Sequence, residues 1–100
     1  MPRVRQLTPE LRREEERNRQ IQRNYDIIRV AVRISDYKTV TALAKAMGVN
    51  CQTLHSSLRS GSIRAVDMSN VIRLLELDDD TIRALMGNPK RCRYEKGYVA

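Results

Sequence analysis

Between residues 41 and 58 the apolar positions fall on two short helical faces separated by a glycine. Ala42, Leu43, Ala44, Ala46 and Met47 are good helix formers, and Leu43 and Met47 lie one turn apart on one face. Gly48 ends that run, because glycine takes the left-handed conformation at a helix C-terminus without a Cβ clash. Val49 is expected to plug the corner, and Asn50 to cap the next helix through its side-chain oxygen. In that helix Leu54 and Leu58, four apart, form one buried stripe, with Cys51, Gln52, His55 and Ser56 around the rest. The small Ala44 permits the two helices to approach closely. A pair of this size cannot bury its apolar faces alone, so the flanking chain is expected to supply a core.

The flanks carry the required pattern. Residues 25–34 place Ile27, Ile28, Ala31, Val32 and Ile34 on a broad helical face, with Arg29 and Arg33 on the other side. Ser35 to Lys38 form the connection, and Thr39 or Thr41 caps the first short helix. After Leu58, Gly61 closes the second. Met68, Val71, Ile72, Leu74 and Leu75 make a further core-facing stripe, and Asp78 to Asp80 precede a last helix that ends at Gly87-Asn88-Pro89.

Upstream, Thr8-Pro9-Glu10 is a helix start, with a hydroxyl cap, proline at the first helical position and an acid in the first turn. The following stretch to Asn24 is nearly all polar and carries favourable pairs such as Glu14/Arg17 and Glu15/Arg19, each worth about 0.2–0.5 kcal/mol. It predicts a solvated helix, or one that orders on a partner. Nothing breaks the pattern between Pro9 and Ile34, so one long helix is open, and a fresh start capped by Asn24 is equally open. A sparse heptad through Leu11, Asn18, Ile21, Tyr25, Ile28 and Val32 gives weak support to a coiled-coil dimer. The tail from 88 to 100 alternates Cys92, Tyr94, Lys96 and Tyr98 as a short strand would, but its composition favours disorder or order on a partner. The same is expected of residues 1–7, where Arg3 and Arg5 could form a phosphate or minor-groove arm.

Composition sharpens this into one helical domain. One hundred residues suffice for a single modest core. There is no Trp or Phe, and four Tyr supply all the aromatic content. No apolar run has the length of a membrane span, and the N-terminus lacks the apolar stretch of a secretory signal. Two distant Cys do not make a disulfide framework, so a reducing, cytoplasmic compartment is the simplest expectation. The net charge of +7 favours a polyanionic partner. Residues 1–35 hold nine basic and five acidic side chains, 36–61 three and one, 62–87 three and five, and 88–100 four and one. The acidic excess therefore lies beyond the two short helices, as expected if one side of the molecule faces DNA.

The residues Ala44, Gly48, Val49, Leu54, Leu58 and Arg59-Ser60-Gly61, followed by the stripe Val71, Ile72 and Leu75, resemble the DNA-binding domains of phage repressors and Cro-like regulators, the XRE-type helix-turn-helix family. The resemblance covers roughly residues 25 to 87. It implies an all-α, five-helix repressor-like helix-turn-helix bundle, with helices at about 24–34, 40–47, 51–59, 65–75 and 79–86. The charged N-terminal helix, 9–23, would then be an extra. The domain plan is an N-terminal arm or helix over 1–23, a DNA-binding domain over 24–87 and a basic tail over 88–100.

The resemblance also implies which residues touch DNA. Those early on the second motif helix face base edges, which here are Cys51, Gln52, His55 and Ser56. Gln52 has the strongest chemistry, since its amide can pair in bidentate fashion with adenine N6 and N7. The phosphate anchor at the start of the first motif helix is replaced by the apolar Val40, so Thr39 or Thr41 must stand in. Lys38, Lys45, Arg59, Ser60, Ser62 and Arg64 are the other phosphate candidates. A domain with so few base contacts implies a homodimer on a two-fold operator, with half-sites about 34 Å apart.

Other chemistry is thin. Cys51, His55 and Cys92 lack paired-Cys spacing, so no metal is expected, nor any other cofactor. His55 has no acid or nucleophile partner in view, and no Gly-rich phosphate loop is present, so an enzyme is not expected. The expected function is a transcriptional regulator binding double-stranded DNA, a repressor from a phage, plasmid or similar mobile element. The alternatives are a protein-interaction module that uses the charged N-terminal helix, and a non-specific nucleic-acid binder.

Overall fold

In a computed structural model, which describes residues 8–99, the chain forms five helices and, among the described residues, no strand. They are α1 (Pro9–Ile34), α2 (Val40–Met47), α3 (Cys51–Ser60), α4 (Ala65–Leu74) and α5 (Asp79–Leu85). The caps sit where short polar side chains stand at the element boundaries. Thr8 accepts from Leu11 N at 3.2 Å, Thr39 from Ala42 N at 3.2 Å, and Asn50 from Gln52 N at 2.9 Å and Thr53 N at 3.2 Å.

The turn after α2 is tied by Val49 N to Ala44 O at 3.0 Å and Gly48 N to Lys45 O at 3.2 Å, with Gly48 left-handed at φ +72°. The same pair of bonds ends α4, where Leu77 N reaches Ile72 O and Glu76 N reaches Arg73 O. There the left-handed position is held by Glu76 at φ +51°, a residue that does not announce the turn in the sequence.

The core gathers Ile27, Ile28 and Val32 of α1, Leu43 of α2, Leu54 and Leu58 of α3, and Val71 of α4, with Leu75, Leu77, Ala84 and Leu85. α1 packs against α2, α3 and α5, while α2 packs against α3 and α4. Ile34 departs from expectation. It is 64% exposed, although Ala31 and Val32 in the same last turn of α1 are buried.

α1 is one unbroken helix of 26 residues, so no new helix starts at Asn24. Asn24 instead accepts from Gln20 Nε2 at 2.6 Å within it. At about 1.5 Å per residue α1 is roughly 39 Å long. Its attachment to the body begins at Gln20, which donates to the carbonyl of Ala84 at the end of α5 at 2.9 Å, and at Ile21, which packs on Gly61. The heptad drawn for a coiled coil is largely consumed within the chain. Tyr25, Ile28 and Val32 are buried in the chain's own core, leaving no continuous seam for a second copy.

The segment after α5 corrects the expectation of a strand or a free tail. It runs as turns laid against α1 and α5, with Cys92 fully buried. Arg23 on α1 grips it. Its Nε and Nη2 donate to Glu95 at 2.9 and 2.8 Å, its Nη1 to Asn88 O at 2.6 Å, and its Nη2 to Lys90 O at 3.0 Å. Glu95 also accepts from Cys92 N at 3.1 Å. Arg93 approaches Asp78 at 3.8 Å, and buried Thr81 donates its hydroxyl to Asp78. Arg3 and Arg5 lie outside the described residues. No helix among the described residues is long and apolar enough to cross a membrane.

Candidate nucleic-acid interface

α3 is held from within by Leu54 and Leu58, so the direction of its outer face is fixed by the core. That face carries Gln52, Thr53, Ser56 and Ser60, all exposed. With Ser57 and Ser62 they line a shallow depression of about 380 Å³. The surface is rich in hydroxyl and amide groups and carries no charge. Ser60 Oγ donates to Ser56 O at 2.9 Å and shares a 2.6 Å hydrogen bond with Ser62 Oγ, which fixes the lower edge of the depression.

Four residues were expected to face base edges, and the structure separates them. Gln52 and Ser56 lie on the open face. Cys51 is half-buried, its Sγ 3.2 Å from Thr41 Oγ1, where it ties the first turns of α2 and α3 together. His55 is also half-buried and turned sideways to α1. Its ring stacks on Tyr25 with centroids 5.4 Å apart and planes 27° from parallel, and the Tyr25 hydroxyl lies 3.2 Å from both ring nitrogens. These two half-buried residues each contact a neighbouring helix, as their place on the flank of the Leu54–Leu58 stripe dictates. Thr53, not foreseen, belongs to the open face. Its signal was the spacing of three and seven to Ser56 and Ser60.

The phosphate candidates divide similarly. Lys38, Lys45 and Arg59 are exposed and make no ion pair among the described residues. Lys38 sits in the turn before α2 at φ +67°. The Thr39 hydroxyl accepts at the helix cap and keeps its proton free to donate. The Thr41 hydroxyl is shared with Cys51. Arg64 is paired with Asp67 at 3.1 Å, so its charge is partly neutralised.

Arg59 has a companion that the sequence did not reveal. Its guanidinium carbon is 5.9 Å from the Tyr25 ring centroid, and that of Arg29 on α1 is 5.5 Å from the same centroid. Two arginines, each free of a carboxylate partner among the described residues, thus converge on one ring at the α1–α3 seam.

Among the described residues no three His, Cys, Asp or Glu side chains come together as a metal site. Cys92 is fully buried beside Thr81 of α5, where desolvation pushes its thiol above the ordinary cysteine range. Compared with known proteins, the chain shows no match to a protein-family model, to a curated protein or to a solved structure.

Proposed function

We propose that the chain is a sequence-reading DNA-binding regulator in which α2, its turn and α3 act as a helix-turn-helix, with α3 in the major groove. The observation that carries this reading is the composition of one surface. An uncharged donor and acceptor face, Gln52, Thr53, Ser56 and Ser60, stands on α3, and exposed cations without an ion pair among the described residues sit on the neighbouring elements, Lys38 before α2, Lys45 on α2, Arg59 on α3 and Arg29 on α1. Neutral amides and hydroxyls can pair with base edges in the groove while cations hold the phosphates, and the division here fits duplex recognition of that kind. The net charge of +7 supplies the non-specific attraction. The action is binding rather than catalysis, and a repressor of a phage or similar mobile element, dimeric on a two-fold operator, is the form the sequence resemblance favours.

The test is a titration of the chain on selected and random duplexes at several salt concentrations. A selected site is expected to be preferred by about 4–10 kcal/mol. Gln52→Ala should relax preference at one base pair by about 1–3 kcal/mol. Lys45→Ala and Arg29→Ala should weaken all sequences alike and each reduce the salt slope by about one. His55→Ala should leave base preference unchanged. Absence of any duplex binding at moderate salt overturns the reading. Binding without preference replaces it with a non-specific binder.

A further inference from the structure

The outer face of α1 and the segment 91–96 enclose an open groove of about 640 Å³, to which α3 contributes no residue. Its floor is apolar, formed by buried Ile27 with half-buried Val30 and Tyr94. Its rim is cationic. Arg29 and Arg33 line the helix side, Arg91 and Lys96 the opposite side, and none of them pairs with a carboxylate among the described residues. Two carboxylates line it. Glu95 is taken by Arg23, and Asp26 accepts from Gln22 at 3.0 Å. Arg91 is held in place by donating to Lys96 O at 2.7 Å, which leaves the rest of its guanidinium facing outward. The result is a concave apolar strip with an excess of positive over negative side chains along its rim.

We propose that this groove docks an acidic peptide segment of a partner protein, seating an apolar side chain on Val30 and Tyr94 and carboxylates against Arg33, Arg91 and Lys96. Charge complementarity chooses the sign of the occupant. The apolar floor chooses its class, because a phosphodiester backbone would engage the arginines and leave Val30 uncovered. Tyr94, half-buried and packed against the core, extends that apolar floor beside Val30. A second copy of the chain is a poor occupant. The projecting stretch of α1, 9–19, carries as many arginines as carboxylates, and residues 1–7 carry Arg3 and Arg5 with no acid. The groove takes no residue from α3 and shares only Arg29 with the surface proposed for duplex binding.

The test uses the full chain and a fluorescein-labelled dodecapeptide of glutamate and leucine patterned as an amphipathic helix. Its controls are the same peptide with serine for leucine and an oligothymidylate of equal charge. Saturable binding is expected, weakened about tenfold or more by the leucine-to-serine change and by the double variant Arg33→Glu/Lys96→Glu. Backbone amide shifts should map to 27–33 and 91–96. Val30→Ser, which alters no charge, should weaken the leucine peptide and leave the serine peptide unaffected, so the proposal stays testable if the charge reversal impairs folding. Equal binding of the serine peptide, displacement by the oligothymidylate at matched concentration, shifts confined to α3, or no binding at all would each overturn the proposal.

Discussion

Gly61 and Gly48 end consecutive helices in the same left-handed conformation, yet their surroundings differ. A Cβ built on Gly48 meets nothing within 4 Å, whereas one on Gly61 would lie 2.5 Å from Ile21 Cδ1 and 2.6 Å from Ile21 Cγ1. Gly48→Ala should therefore cost about 1–2 kcal/mol, from backbone strain alone. Gly61→Ala should cost about 1–3 kcal/mol more, from crowding against α1. Denaturant titrations check the pair, and Ile21→Ala combined with Gly61→Ala should recover the excess but not the common part. At this scale the sequence was informative wherever a residue acts on its near neighbours. Thr8, Thr39, Asn50 and Gly48 do locally what their chemistry implies. The second role of Gly61, as the seat for Ile21, joins residues forty apart and has no local signature. His55 is drawn sideways to α1 for the same reason. Its partner Tyr25 is thirty residues away, and no spacing rule connects them.

At the scale of elements, the grip of α1 on the final segment rests on Arg23 and Glu95. The two side chains are mostly shielded, 20% and 12% exposed, and the guanidinium and its hydrogen bonds hold the Glu95 carboxyl below the ordinary glutamate range. A carboxyl whose pKa is depressed by folding contributes stability that is complete above its unfolded pKa and is lost as pH falls through the folded value. Glu95→Gln should thus cost about 1–3 kcal/mol at neutral pH. The gap to wild type should close as pH drops below the ordinary glutamate range, measured by urea unfolding across an acid series. A gap that persists unchanged in acid would show that Glu95 acts by packing rather than by charge. The helices themselves were legible, α2 to within its bounds, since apolar periodicity and caps agree there. The final segment was not. Its polar composition reads as a tail, and what orders it is a salt bridge across 72 residues together with the burial of one thiol.

For the molecule as a whole, α1 does two separable jobs. Its second half is core, and its first turns project, giving a particle of 54 × 34 × 22 Å. Residues 9–17 are polar, mostly exposed helix, and deleting residues 1–17 should leave the unfolding free energy within about 0.5 kcal/mol of wild type. Loss of the cooperative transition would show that the projecting turns carry part of the fold. The open face of α3 was legible in outline because the Leu54–Leu58 stripe sets which way that helix turns. The groove beside α1 was not, because one of its walls is the segment whose order the sequence hides. The clasp between Arg23 and Glu95 also has a kinetic consequence. Contacts between α2, α3 and α4 close short loops, whereas the clasp must wait until the chain between its halves has collapsed. It should therefore be absent from the folding transition state. Arg23→Met and Glu95→Gln would speed unfolding while leaving the refolding rate nearly unchanged, so the clasp governs how long the native state lasts rather than how quickly it is reached.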